Sequence, residues 1–421
     1  TIYCYKLKHY KFVKFNNMKS SSNQQVQLND NFYKICVVGG GLTGALMMSL
    51  LKKSNMFHDD EIAWIKPINI ESNDFRTTFY NSKSLKLLKK LNILHKIKTK
   101  DITEVKEIHA FGKKNASPLV WKSTNNDLIG AIIKNDKILA LLNNQLKNII
   151  QYDSLVSNTS YNEFERTIYL QNKTSIKSNL VLSADGKNSY LRKLSSINVI
   201  PKKTNHIAIS GFLKQSNNHN FIAKQAFSKL GPIGILPYGQ NDIINFVLSV
   251  EKNKAQQILS LDNPEQLICN ELNDFFEHLQ LIFKPLDQIE NTINKLSEWP
   301  LDLNLVINPT ANRIILVGDA AHSIHPLAGQ GLNLTIEDCV TVLNAIKNSL
   351  KFGNDLGDIN ILENYKKERL PHTLAMTAAT DFLFYGFTSD SNYLKSILSE
   401  GMEKIEKSNF KNIFKYFAGS S

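Results

Sequence analysis

The stretch from Arg313 to Asp338, RIILVGDAAHSIHPLAGQGLNLTIED, constrains this chain more than any other. Ile314 to Val317 is an apolar, β-branched run with the length of a buried strand. Gly318-Asp319 breaks it, Gly329-Gln330-Gly331 lets backbone approach a ligand closely, and from Leu332 the residues read as helix. A strand, an acid at its carboxyl end, a glycine turn and a helix N-terminus together make a ligand contact. The helix end offers unpaired N–H groups to a phosphate or an electron-rich ring, and Asp319 can accept from a ribose or ribitol hydroxyl. Packing alone explains the segment poorly, because glycines and an acid at a strand end are destabilising unless used.

Two further segments have the same design. Lys34-Ile35-Cys36-Val37-Val38 reads as a buried strand and runs into Gly39-Gly40-Gly41-Leu42-Thr43-Gly44, followed by an apolar helix from Ala45 to Leu51. G-x-G-x-x-G at a strand-to-helix turn near the start of a chain points to a dinucleotide site, with pyrophosphate on the helix N-terminus. The next strand, Ile62 to Ile65, should end in an acid for the adenosine ribose, roughly 20 residues past the glycines. Lys66 stands there instead, which leaves Glu71, Asp74 or backbone groups to hold the sugar. In the third segment, Leu180 to Ser183 is again a buried strand, ending in Ala184-Asp185-Gly186 with Ser189 and Arg192 beyond. From the residues alone, Asp185 is best explained as a cap of the following helix, with Arg192 pairing with it or with phosphate.

These segments resemble the single-component FAD-dependent aromatic hydroxylases. Gly318-Asp319 is similar to their GD motif, Asp185-Gly186 to their DG motif, and Asn73-Asp74-Phe75-Arg76-Thr77-Thr78 to their D-x-R segment. More narrowly, His325-Pro326-Leu327-Ala328-Gly329-Gln330-Gly331-Leu332-Asn333 and Asp338 resemble the signature of the ubiquinone-biosynthesis hydroxylases. Thr335 departs from it, since that family usually has glycine there; Lys66 is the other departure. The resemblance implies an α/β fold of mixed α+β character: a Rossmann-like FAD-binding domain interleaved with an antiparallel-sheet substrate domain, and a C-terminal helical tail. It implies FAD held by Gly39, Gly41, Gly44, Arg76, Asp185, Gly186, Gly318, Asp319, Pro326, Gly329, Gln330, Gly331 and Asn333. Gly231-Pro232-Ile233-Gly234-Ile235-Leu236-Pro237 is similar to a strand of the family's substrate sheet, which places Gly231, Pro232, Leu236 and Pro237, with His325, at the substrate pocket. O2 is the implied co-substrate, with NAD(P)H or another reductant as electron donor, and no catalytic side chain is needed because the chemistry belongs to the flavin. The implied reaction is hydroxylation of the aromatic ring of a polyprenylated phenol in ubiquinone synthesis. Alternatives are a flavin hydroxylase of another aromatic, an FAD-dependent isoprenoid reductase, or a non-catalytic flavin-binding subunit of the ubiquinone-synthesis assembly.

The expected organisation is an extension over 1–29, FAD-binding parts over 30–104, 126–200 and 299–372, substrate-domain parts over 105–125 and 201–298, and the tail over 373–421. Residues 1–29 contain five lysines, no arginine and no acid, and start at Thr1 with Met18 as a natural start; they read as a disordered or artefactual extension. From 254 to 296 the chain reads as mainly helical. No second G-x-G-x-x-G follows a strand, so a separate NAD(P)H domain is not expected.

Composition narrows the partners. No apolar run is long enough to span a bilayer. Four scattered cysteines, with no C-x-x-C pair, point to a reducing compartment and to neither disulfides nor zinc. His322 and His325 form H-x-x-H, but Pro326 extends the backbone and no carboxylate set is near, so no metal is expected. The net charge of +12 is spread over many lysines without a basic–aromatic patch, which argues against nucleic acid and for an anionic membrane surface or an NAD(P)H phosphate. In the tail, Leu394, Ile397, Leu398, Met402, Ile405, Ile413, Phe414 and Phe417 follow helical spacing, with Lys404, Lys407, Lys411 and Lys415 beside them. That makes the tail a candidate to dock on membrane or on a neighbouring subunit. The expected location is cytoplasmic or peripheral on an inner membrane, on the matrix side in a eukaryote, with other ubiquinone-synthesis proteins as partners.

Overall fold

Five parallel strands frame the computed structural model: residues 314–316, 175–183, 32–38, 62–65 and 150–152 lie side by side in that order. Four of them carry a buried apolar run (35–38, 62–65, 180–182 and 314–316), as a sheet covered on both faces requires. Helix α1 (Leu42–Lys53) and the later helix α7 (Gln330–Lys351) pack on one face, where Ile35, Val37, Leu46, Trp64, Leu182 and Val317 are buried together. The other face buries Cys36, Ala63, Val181, Leu191 and Ile314. The structure describes residues 31–67, 76–122, 128–239, 242–286, 296–389, 391, 393 and 397–401.

A second large sheet is antiparallel apart from one parallel pair, between Glu107–Phe111 and Ile222–Phe227. Its strands come from four stretches of chain, 107–122, 206–251, 283–285 and 297–300, so it interleaves with the first sheet along the sequence. Helices α5 (Lys252–Leu259) and α6 (Pro264–Phe275) cover one side, burying Phe111, Ile233, Ile235, Phe246 and Leu248. On Pro232–Pro237, Ile233 and Ile235 point to those helices, while Gly234 and Leu236 keep partial exposure on the opposite face. That face meets the parallel-sheet half through the turn Leu327–Gly329. A three-stranded sheet, 77–81, 130–134 and 102–105, joins the halves, followed by helices α2 (Ser82–Lys90) and α3 (Asn135–Gln145). The mixed α/β architecture agrees with the expectation.

Several boundaries differ from the sequence reading. The sequence reads as a helix from Ser82 to Leu94, but α2 stops at Lys90, because Asn92 adopts φ +57° and only a single turn, Leu94–Lys96, follows. Within 254–296, the described part contains a strand at Phe283–Pro285. The C-terminal helix α8 spans Ile359–Thr388, runs along α7 and reaches the second sheet, where Phe387 stacks on Phe227 at 3.8 Å. Glu71, Asp74, Leu394 and the tail residues from Met402 onward lie outside the described residues, as does the segment 1–30.

Candidate functional site

The parallel order brings three strand ends that are far apart along the chain onto one edge without any help from their side chains: Ala184 N–H donates to Val38 O at 2.7 Å and Val317 N–H to Ser183 O at 2.9 Å. Gly39, Ala184-Asp185-Gly186 and Gly318-Asp319 therefore sit side by side, at the carboxyl ends where open parallel sheets bind ligands.

The first loop is shaped by contact. A Cβ on Gly39, whose φ is +128°, would lie 2.1 Å from Ala184 O, and one on Gly44 would lie 1.9 Å from Gly39 O. The buried Trp64 donates from its indole N–H to Gly39 O at 2.8 Å, fixing the loop from below. Gly41, by contrast, faces open space, and α1 begins there with no side-chain cap, so its first N–H groups point into the cleft.

The third loop is held by a buried ionic cluster. Asp338, fully buried on α7, accepts from Gly318 N–H at 3.0 Å, from the Arg369 Nε–H at 2.7 Å, and bonds His322 Nε2 at 2.6 Å. Burial on its own pushes the Asp338 carboxyl up, but His322 and Arg369 outweigh that and hold it below the usual carboxylate range. Gly318 (φ +62°) leaves no room for a side chain, because a Cβ would meet Thr335 at 2.8 Å and Thr43 at 3.0 Å. Thr335 thus wedges its methyl between α1, α7 and the Gly318 turn.

Asp319, beside this anchored turn, takes no hydrogen bond among the described residues. Its side chain keeps accessible area yet lies deep among protein atoms, as on the wall of a recess; burial raises its carboxyl above the usual range, opposed by the charges of His322, Arg76 and Lys187. Arg76 lies over the Trp299 ring at 5.6 Å on the same side. Gly329 enters the left-handed region at φ +63°, close against Phe79, and α7 starts there without a side-chain cap. Gly331 and Gly186 face open space, as Gly41 does.

Other expected site residues are committed within the protein. Asp185 accepts from Ser183 Oγ–H at 2.6 Å and from the N–H groups of Tyr190 and Leu191, and so caps the short helix α4 (Tyr190–Leu194). Arg192 donates to Ala320 O at 2.7 Å and to Lys187 O at 2.9 Å, tying the Asp185 loop to the Asp319 loop rather than pairing directly with Asp185. Asn333 uses its whole amide: its oxygen accepts from Asn81 N–H and Ser84 Oγ–H, and its nitrogen donates to Phe79 O and Gly329 O. It holds the start of α7 against 77–81. His325 is sealed under α8, wholly buried, with its ring stacked at 3.7 Å on Phe384 and Nε2 3.5 Å from Asp381. Burial, with the charges of Lys202 and His206, pushes it down to about 3, so it is neutral at physiological pH. Pro326, half-buried, opens the turn that leads to Gly329. Gly231 precedes its strand at φ +145° with Ser249 O against it, and Pro232 and Pro237 are buried in the second sheet; Leu236, half-buried, packs against Phe79, Val105 and Ile132. Trp64, Arg192 and Arg369 are the site-forming residues whose partners the sequence reading did not identify.

This edge suits a dinucleotide whose ring end lies at α7. A model of the FAD binding domain family matches residues 33–380. The chain belongs to this family. The ubiquinone biosynthesis monooxygenase COQ6 of Dictyostelium discoideum is 28% identical, over 93% of this chain and 92% of the relative. Its counterpart in Homo sapiens is 25% identical, over 89% of each chain. These relatives bear out the resemblance read from His325 to Asn333 and Asp338. The crystal structure of pqsL, a probable FAD-dependent monooxygenase from Pseudomonas aeruginosa, superposes with a TM-score of 0.71 at 17% identity, over 89% of this chain and all of that one. p-Nitrophenol 4-monooxygenase PnpA from Pseudomonas putida gives 0.69 at 14%, over 92% and 99%. At these identities the structural likeness speaks for the fold alone.

The residues present fit FAD. Gly39 and Gly44 admit no side chain, Gly41 and Gly331 leave backbone open, two helix N-termini lack side-chain caps, and Asp319 has a free acceptor. Pyrophosphate at α1, a hydroxyl at Asp319 and the flavin ring at α7 use all of these.

Lys66 ends its strand with its ammonium 4.3 Å over the Trp64 ring, and its N–H donates to Tyr152 O at 3.0 Å. Burial lowers its pKa, opposed by Asp153. The ammonium is thus attached to the protein through Trp64, and Lys66→Ala is expected to leave FAD affinity within a few-fold of wild type. Lys66→Glu is expected to match or exceed wild type by restoring an acceptor for the ribose. Titration of the flavin-free protein with FAD reads this; a tenfold loss in Lys66→Ala would instead make the lysine a ligand contact.

Proposed function

We propose that this chain is an FAD-dependent monooxygenase that hydroxylates the aromatic ring of a polyprenylated phenol in ubiquinone synthesis. The observation that carries the reading is the carboxylate of Asp319, which takes no hydrogen bond among the described residues, at the strand-end edge where two helices begin without side-chain caps. The COQ6 relatives, matched over nearly their whole length, support the substrate class.

When bound, FAD supplies the activation of O2 and the oxygen transferred. The chain's own residues bind and orient. The α1 N-terminus takes the pyrophosphate, Asp319 accepts from a hydroxyl of the cofactor's polyol, and Gln330-Gly331 presents backbone N–H groups to the electron-rich edge of the ring. Asp338, Arg369 and Arg192 hold the loops that carry these contacts. Leu236 and its sheet neighbours form the apolar side, which excludes water and receives the phenol ring. NAD(P)H, or another reductant, is the electron donor in this reading. The relatives are mitochondrial by name, which supports a place on the matrix side of the inner membrane; among the described residues no helix is long and apolar enough to cross a membrane.

Purified, flavin-loaded protein should oxidise NAD(P)H, or an artificial reductant, faster when a prenylphenol and O2 are present, and release a product one oxygen atom heavier. A product two hydrogens heavier would make the chain an isoprenoid reductase. Bound flavin that no donor reduces would make it a non-catalytic subunit. Lipid analysis of a deletion strain names the missing step by the intermediate that accumulates.

A further inference from the structure

Helix α2 carries an unusual charge pattern. Residues 77–100 contain seven lysines and no acid. Lys86, Lys89, Lys90, Lys96, Lys98 and Lys100 are exposed, and none meets an acid within ion-pair distance among the described residues. Such a concentration is unfavourable unless water or a negatively charged surface neutralises it.

Across from it, the C-terminal half of α8 presents an apolar face. Leu374, Ala375, Ala378, Phe382 and Tyr385 recur at helical spacing and are all exposed, Phe382 by 63%. Burying such a face normally stabilises a helix, so leaving it in water is a loss. The two surfaces converge on one cavity of about 290 Å3, whose walls include Lys83 of α2, Pro371, Ala375 and Met376 of α8, and Gln330 and Asn333 at the start of α7. Ala375 belongs both to the cavity wall and to the exposed apolar face.

We propose that α2 and α8 form a docking face for an anionic lipid bilayer, with the cavity between them as the mouth through which a membrane-borne substrate approaches the α7 end of the site. Lysine ammoniums pair with lipid phosphates, and Phe382 and Tyr385 enter the boundary between headgroups and acyl chains, where aromatic rings are favoured. Neither feature carries this alone: an acidic protein would satisfy the lysines without using the apolar face, and an apolar partner would leave six cations uncompensated. A bilayer meets both, on the side where the cavity opens. The docking rests on these surfaces; only the substrate's route rests on the function proposed above.

Flotation of the flavin-loaded full chain tests it, with vesicles of phosphatidylcholine alone and of phosphatidylcholine with one third phosphatidylglycerol. The wild type is expected on the anionic vesicles and largely absent from the neutral ones. The triple variant Lys86→Glu/Lys89→Glu/Lys90→Glu and, separately, Phe382→Asp are each expected to reduce vesicle-bound protein roughly tenfold or more, with flavin content and melting temperature unchanged. Wild-type chain that ignores anionic vesicles, or folded, flavin-loaded variants that float as the wild type does, would overturn the proposal. So would capture by an acidic protein with no vesicle binding. A substrate comparison separates this from the enzymatic reading: both variants should turn over a short-chain prenylphenol in solution normally and lose turnover of a long-chain one in vesicles. Were the wild type inactive on both, the substrate assignment would fall while flotation still decided the docking face.

Discussion

An Asp338→Ala chain is expected to lose about 3–5 kcal/mol of folding stability, the range for removing one partner of a buried ion pair. The side chain is fully buried, and its loss strands the Arg369 guanidinium, which is 5% exposed, and the Gly318 N–H. Arg369 keeps Glu337 at 2.9 Å and Leu334 O at 3.1 Å, too little to compensate for a missing carboxylate in the interior. The pH dependence has a definite sign. Asp338 is held below the usual carboxylate range, so its contribution is present above the unfolded value and is lost as pH falls through the lower folded one. Urea unfolding followed by far-UV circular dichroism reads the change. Asp338→Asn/Arg369→Met should be less destabilised than the sum of the two single variants, because each single change leaves a buried group unpaired. Strict additivity would show that the two side chains do not act as one unit.

Asp319→Ala should remain folded and purify largely without FAD. A hydrogen bond to a charged acceptor contributes roughly 1.5–3 kcal/mol, which is more than tenfold in affinity. Asp185, the acid on the neighbouring strand end, does not take the place of the lost acceptor, since it already caps α4. Burial raises the Asp319 carboxyl above the usual range, so in the flavin-free chain it takes up a proton more readily than an exposed aspartate. Its contribution to folding is therefore present at low pH and lost as pH rises through the raised value. FAD binding runs the other way: the cofactor hydroxyl favours the ionised carboxylate, so affinity is highest above that value and falls as pH drops through it. Asp319→Asn should show weaker binding and a flat profile over that window. Normal affinity in a folded Asp319→Ala protein would remove Asp319 from the cofactor contacts.

The two acids Asp319 and Asp338 show how unequally a sequence reveals roles. Both occur in the same recognisable stretch, yet Asp319 is the one that opens to the cleft, and Asp338 is a framework residue whose partners come from 20 and 31 positions away. Arg369 stands on an ordinary helix with no pattern marking it, and Trp64 looks like any buried strand residue until its indole is seen against Gly39 O. Asn333 and His325 sit in the most recognisable motif of the chain. Their side chains nonetheless turn inward, toward 77–81 and toward Phe384, neither of which is near them in sequence.

What the sequence determined by itself was backbone: where strands end, where glycine alone can pass, where a helix starts uncapped. These follow from local sterics and from N–H groups that must be satisfied, so Gly39, Gly44 and Gly318 are legible from a dozen neighbouring residues. Tertiary structure decided which polar side chains remain available to a ligand. A carboxylate or amide takes the nearest well-placed partner, and whether that partner is a cap, as for Asp185, or none among the described residues, as for Asp319, depends on which distant segments the parallel sheet brings beside it. The same holds for the surfaces: seven lysines and an apolar helix face are visible as strings, but only the packing of α2 and α8 around one cavity places them together.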